Sequence, residues 1–390
     1  MACAAQAQSF QQVAPNSNFF ANWQFQQFSS TPPASPIDLA SGASNTDISL
    51  AGRTLTITNE SPAGGYFQVR TAAFSDPASL PANIGISDPT VAFSTVSNRL
   101  GDDALFTFSQ PLPRGTTLFI TDLDIDETAN IHFLDCNGNP VDASGFTFLQ
   151  VSVTSPSNPP NYSVQGAAPD RYWNLEGIAD NTNLTNGIII DSDQVCGVRA
   201  SSARATAATG GSAYIGYFFG MPWVNVNKSV ASVNGSAAQT RVSQPQDTVA
   251  YSIVINNPGG IAVTLAAGTF QENLPAGVTF ASSADFTCAG LSCTNTADVV
   301  VPAYGSITLH IAVKVDAGLN TRTTPSLTNV VALPGLDCSA AGNHCSATTV
   351  TTLDAAPSAA SVPASGPWSL TLLAALLAGC GYAFRRARPS

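Results

Sequence analysis

Apolar and polar positions along this chain alternate in short runs, and glycine, proline, asparagine or aspartate breaks each run before it reaches helical length. The pattern predicts strands over Asp47–Thr58, Tyr66–Phe74, Ala104–Phe108, Thr117–Asp126, Ile131–Leu134 and Phe146–Val153. Asn137-Gly138, just after Leu134-Asp135-Cys136, is a two-residue hairpin signal. No long stretch has helical periodicity. Dense short strands with turn signals predict antiparallel β-sandwiches rather than a parallel sheet with helices.

The composition and motifs change near Met221-Pro222, which separates an N-terminal sandwich over 10–220 from a second over 222–352. In the second, Val249, Tyr251, Ile253 and Ile255 alternate with Ala250, Ser252, Val254 and Asn256, so alternation alone predicts a seven-stranded antiparallel sandwich. Pro245, Pro258, Pro275 and Pro302 punctuate its strand ends and discourage edge-to-edge pairing. His310 lies mid-strand and reads as a sheet residue. In the first region, Tyr214, Tyr217, Phe218 and Phe219 fit a strand buried on both sides better than a sugar-stacking surface. Tyr172-Trp173 offers the same pair of readings.

The two ends differ from the body. Trp368–Phe384 carries no charge over 17 residues. At ~1.5 Å per residue that makes a helix of about 25 Å, just under the ~30 Å hydrocarbon core. Arg385, Arg386 and Arg388 follow at once, which by the positive-inside rule keeps them cytoplasmic and places the body outside. Residues 353–361 read as a linker to the tail segment, 362–390. At the other end Ala5-Gln6-Ala7 has the small-x-small form of a signal-peptidase site. No apolar or basic leader precedes it, so residues 1–9 are expected to be the remnant of a signal peptide plus the mature N-terminus, with the start codon upstream.

Charge narrows the partners. Only 10% of residues are charged, and 25 acids against 14 basic residues give a net charge of −11, which argues against nucleic acid as a partner. Cysteine spacing suggests an oxidising compartment: Cys288 with Cys293, Cys338 with Cys345, and Cys136 with Cys196 are disulfide candidates. The chain-entropy model assigns roughly 2 kcal/mol to the shortest loop and roughly 4 kcal/mol to the longest. Buried free thiols are the alternative.

In Thr117–Glu127 one parity carries Phe119, Leu123 and Ile125, and the other Asp122, Asp124 and Asp126. Those three carboxylates offer oxygen ligands for calcium, with Asp191 and Asp193 as further donors, or they are simply solvated. No other cofactor is indicated. No constellation singles out a catalytic set: carboxylates such as Asp102, Asp122 and Glu127 have no glycosidase-like spacing, and His132, His310 and His344 lie without a nucleophile elbow. The expectation is a protein that is not an enzyme.

Three stretches resemble known families. Val362-Pro363 followed by Trp368, the apolar helix and the arginines resembles an IPTL-CTERM sorting signal, although Ala364, Ser365 and Ser369 depart from the motif. That resemblance implies an exosortase-type processing enzyme of a Gram-negative bacterium and a temporary inner-membrane anchor. Lys228-x-Val230, Asp247-Thr248-Val249-x-Tyr251-x-Ile253, Leu274–Phe280, Gly305–Leu309 and Thr328-Asn329-x-Val331 resemble the Ig-like conserved repeat domain of bacterial surface proteins, whose usual setting is a spacer or stalk. More loosely, Ala104–Val141 resembles jelly-roll or adhesin-like sandwiches. Together these imply an exported surface or secreted component, adhesive or structural, with an extracellular glycan or protein as ligand. The alternative is a secreted carbohydrate-binding or carbohydrate-active sandwich.

Overall fold

The computed structural model describes residues 10–13, 20, 23–29, 37–62, 67–71, 94–99, 103–121, 123, 127–151, 161–177, 185–204, 214–242, 244–320, 323–333 and 345–354. The chain is all-β in several sheets, and no described helix reaches seven residues. Among the described residues no helix is long and apolar enough to cross a membrane. The Trp368–Phe384 segment lies outside them.

Two nine-stranded sheets form the first sandwich. One runs in the order Phe10–Val13, Thr147–Val151, Thr185–Ile189, Thr117–Thr121, Tyr214–Pro222, Ser94–Arg99, Phe67–Thr71, Ile37–Leu39, with Trp23–Phe25 also paired to Tyr214–Pro222. The other runs Asn161–Gln165, Tyr172–Glu176, Glu127–Asp135, Val195–Arg204, Asp103–Phe108, Arg53–Asn59, Ser44–Leu50, Gln27–Phe28, with Pro140–Val141 beside Glu127–Asp135. Facing side chains interlock between the sheets. Phe106 and Phe108 meet Phe219 edge-on at 5.4 and 4.9 Å, and Phe148 stacks on Tyr162 at 4.2 Å. Such pairs add roughly 0.5–1.5 kcal/mol each beyond the area they bury.

Three details depart from the alternation pattern. The run Asp47–Thr58 folds as a hairpin, Ser44–Leu50 with Arg53–Asn59, because Ala51 and Gly52 both take positive φ (50° and 77°) in the turn that matches strand twist. The strand predicted over Thr117–Asp126 is described only over Thr117–Thr121, and Leu118, Phe119 and Ile120 in it are all fully buried. At Asn137-Gly138 the turn is longer than two residues, since Leu134 pairs with Pro140. There the Asp135 carboxylate accepts hydrogen bonds from the backbone amides of Asn137 and Asn139, each at 2.8 Å. The Asn139 side-chain amide donates to the same carboxylate at 3.0 Å, and that bond, followed by those from the backbone amides, holds the Asp135 pKa below the usual carboxylate range.

Full burial of Phe119 requires a cover on the sheet's outer face. Phe119 stacks on its cross-strand neighbour Phe218 at 4.7 Å, and Phe20, Trp23 and Phe25 close over the pair at 5.7 to 6.1 Å. The N-terminal segment thus supplies a second, aromatic layer, and residues 215–222 are buried from both sides.

Tyr214–Pro222 ends the first pair of sheets, and Asn225–Val233 begins the second after Trp223 and Val224 alone. One sheet of the second sandwich runs Asn225–Val233, Thr248–Asn257, Gly305–Val315, Val278–Ser282. The facing sheet runs Phe286–Ala289, Ser292–Asn295, Gln271–Asn273, Ser326–Ala332, Ser346–Thr352. A two-stranded ribbon, Val263–Leu265 with Val299–Val301, completes it. Along Thr248–Asn257 every second residue is buried, and Val249, Tyr251, Ile253 and Ile255 are fully so, as alternation requires.

Disulfides staple both sandwiches. Cys136–Cys196 joins the end of Glu127–Asp135 to its neighbouring strand, and Cys288–Cys293 links directly opposed residues of a hairpin. Cys345 is disulfide-bonded as well.

The aromatic cover yields a direct test. A Cβ at Gly220 would stand 2.7 Å from Phe25 Cε1 and 3.0 Å from Phe119 Cε2. Gly220→Ala should therefore lower stability by roughly 1–3 kcal/mol through overpacking, read as a lower urea midpoint at unchanged slope. An unchanged midpoint would mean that Phe25 does not pack there.

Candidate functional site

The most unusual chemistry lies inside the second sandwich. Lys228 takes the inward parity of its strand, between Val226 and Val230, where alternation calls for an apolar residue. Glu272 sits inward between Phe270 and Leu274, and Asn329 inward between Leu327 and Val331. Glu272 pairs in register with Val331, which makes Asn329 its diagonal neighbour on the same inner face. Lys228 reaches across from the opposite sheet.

There Lys228 Nζ contacts Glu272 Oε1, both side chains being 0% exposed. The ammonium also stands 5.0 Å from the centre of the Tyr251 ring. Tyr251 Oη in turn shares a hydrogen bond of 3.0 Å with Thr351 Oγ1. Burial pushes the Lys228 pKa down to about 8 against the opposing pull of Glu272. Burial likewise raises the Glu272 carboxyl, more than Lys228 and Asn329 lower it. Both shifts move the pair toward its neutral form, amine beside carboxylic acid.

A second feature is a cleft of about 250 Å³ at the seam between the sandwiches. Leu112, Met221, Trp223 and Val263 give it apolar walls, and Arg53, Arg114, Asp193 and Asp298 give it charges of both signs. Arg53 Nε donates to the Pro111 carbonyl at 3.0 Å, and burial lowers its pKa. The Asp298 carboxylate accepts from the Ala267 amide at 2.9 Å. Polar groups held by the backbone beside apolar walls suit a small ligand with hydroxyl groups.

The residues singled out by sequence divide clearly. Asp122, Asp124 and Asp126 lie outside the described residues, as do Cys338, the sorting residues Val362, Pro363 and Trp368, and Arg385, Arg386 and Arg388. Asp191 and Asp193 are exposed, and among the described residues no three His, Cys, Asp or Glu side chains converge as a metal site would need. Trp173, Tyr217, Phe218 and Phe219 are core, none more than 1% exposed, so they present no stacking surface. Tyr172 is partly exposed and stacks on His132, whose Nδ1 lies 3.1 Å from Asp170 Oδ1. His310 points outward from its strand, and its backbone N–H donates to Asp285.

Lys228 and Asn329 entered the sequence reading only within family-like motifs, and Glu272 was not singled out. Their signal was there: each is a polar residue flanked by apolar ones on the apolar parity of its strand.

No protein-family model matches this chain, and no curated protein matches it. Among solved structures, a Vibrio harveyi GH20 exo-β-N-acetylglucosaminidase aligns at 12% identity and TM-score 0.16, over 34% of this chain and 18% of that one. Red sea bream transglutaminase aligns at 8% identity and TM-score 0.19, over 65% and 29%. A calcium-binding mutant of Bacteroides uniformis β-glucuronidase 2 aligns at 11% identity and TM-score 0.18, over 64% and 26%. This chain thus spans less than a third of the length of each, and at those scores they carry no argument about its activity.

The buried pair generates a prediction. Glu272→Ala strands a buried ammonium and should cost roughly 3–5 kcal/mol, whereas Lys228→Met with Glu272→Leu should lose clearly less. Denaturant melts of the two variants compare them. Equal losses would show that the charge is not confined as described.

Proposed function

We propose that this chain is an exported, non-catalytic component of a Gram-negative cell surface or secretome, adhesive or structural in role. The observation that supports this most is the presence of disulfides in both sandwiches, bonds that persist in an oxidising compartment and are rare in the cytosol. In this reading the apolar tail holds the body at the inner membrane until an exosortase-type enzyme processes it near Val362-Pro363. Asp122, Asp124 and Asp126 remain a candidate calcium site within it. The second sandwich, Ig-like in its motifs, serves as spacer, and the first, jelly-roll or adhesin-like, faces outward.

The seam cleft favours a second reading, a secreted carbohydrate-binding protein, because charged groups fixed by backbone contacts border apolar walls there. Calorimetric titration against a glycan panel separates the two. Saturable binding lost in Arg114→Ala supports recognition at the seam, and turnover of any glycan contradicts the non-enzyme reading.

Export has its own test. Protein collected from its cells and alkylated without reductant should leave Cys136, Cys196, Cys288 and Cys293 unmodified, and its mature C-terminus should fall before Trp368. Labelled thiols on an untrimmed cytosolic chain would overturn the proposal.

A further inference from the structure

The second sandwich satisfies its buried amides, with one exception. Asn257 donates to the Ile261 carbonyl and accepts from the Gly259 amide, and Asn295 donates to Ala266 and accepts from the Phe270 amide. Asn329 is as deeply buried, yet neither its Oδ1 nor its Nδ2 completes a hydrogen bond of ordinary geometry. It lies against Glu272 and Tyr251, and Glu272 Oε2 is likewise without a partner. Leaving such groups unpaired in a dry interior is unfavourable enough that each asks for a reason.

Chemistry supplies one. An amine, a carboxyl group and a primary carboxamide are buried together. The amine is a nucleophile, the carboxamide an electrophile with ammonia as leaving group, and the carboxyl group can carry protons between them. We propose that Lys228 Nζ and Asn329 Cγ become joined by an intramolecular amide bond, with Glu272 as the proton-transfer group.

Glu272 first takes a proton from the Lys228 ammonium. The freed lone pair attacks Asn329 Cγ, forming the N–C bond, while Glu272 returns its proton to Oδ1. Glu272 then moves a proton from Nζ to Nδ2, the Cγ–Nδ2 bond breaks, and as the carbonyl re-forms Glu272 passes the Oδ1 proton to the departing ammonia, which leaves as ammonium. Overall a lysine ammonium and an asparagine carboxamide give a secondary amide and ammonium. Glu272 ends in its starting state, and no oxidant or cofactor is consumed. Lowered amine basicity and raised carboxyl basicity both favour the neutral pair from which attack starts.

Placement gives the bond a purpose. Lys228 is on the first strand of this sandwich and Asn329 on the last strand but one, in the facing sheet. The link ties the two sheets and encloses most of the sandwich between its ends. Tension applied to those ends would then run through a covalent bond rather than through strand hydrogen bonds.

Mass spectrometry of a proteolytic digest of the full-length protein, reduced and denatured first, tests this. The expected result is a branched peptide carrying Lys228 and Asn329, lighter than its two arms by one ammonia, with no tryptic cleavage after Lys228. Glu272→Gln should release the two arms as separate linear peptides. Separate arms in the wild-type digest would overturn the bond, whether or not the variant folds, and so would ammonia lost from an unlinked Asn329 peptide. A branched peptide at wild-type level in Glu272→Gln would overturn the role given to Glu272.

Discussion

The fold of this molecule follows from closing pairs of largely antiparallel sheets over their inner faces. A strand sends alternate side chains to opposite sides, so each strand commits half its residues to a dry interior. In the first sandwich that interior is aromatic, with Phe106, Phe108, Phe148, Trp173, Tyr217 and Phe219 meeting across the gap. Trp173 keeps its one donor satisfied by the Ala143 carbonyl at 3.1 Å. Charge is scarce along the chain, and the surface is kept wet by uncharged polar residues. The sheets therefore owe little to exposed ion pairs such as Arg199–Glu60 and Arg241–Asp354, of a kind that contributes roughly 0–1 kcal/mol.

The second sandwich obeys the same rule and breaks it at one point. Its inner layer is mostly apolar, and within it Lys228, Glu272 and Asn329 meet beside Tyr251, Thr349 and Thr351. Desolvation opposes both charges, and the proximity of opposite partners offsets only part of that cost. Such an arrangement does not persist as the cheapest way to fill a core, since well-packed apolar residues would serve folding as well. A role in covalent chemistry accounts for why the interior holds these groups, and it agrees with the exported role proposed for the chain.

Much of the fold was legible because alternation is a local signal. Thr248–Asn257 shows its buried face directly in Val249, Tyr251, Ile253 and Ile255. Cysteine spacing likewise pointed to Cys136–Cys196 and Cys288–Cys293. What escaped was non-local. Alternation cannot say that Phe119 will be covered on its outer side by Phe20, Trp23 and Phe25, because that cover comes from a segment distant in sequence. Nor did it mark Ala51-Gly52 as a turn, since one alanine with positive φ looks like any strand residue. The polar triad was readable strand by strand as a parity violation. Only the stacking of the two sheets shows that the three violations share one place.

A crystal structure of the full chain that resolves side chains in the second sandwich tests this account most directly. The account predicts Lys228, Glu272 and Asn329 in mutual contact between the sheets, with no water among them and continuous density from Lys228 Nζ to Asn329 Cγ. A hydrated gap at that point, or Lys228 turned out to solvent, would contradict it.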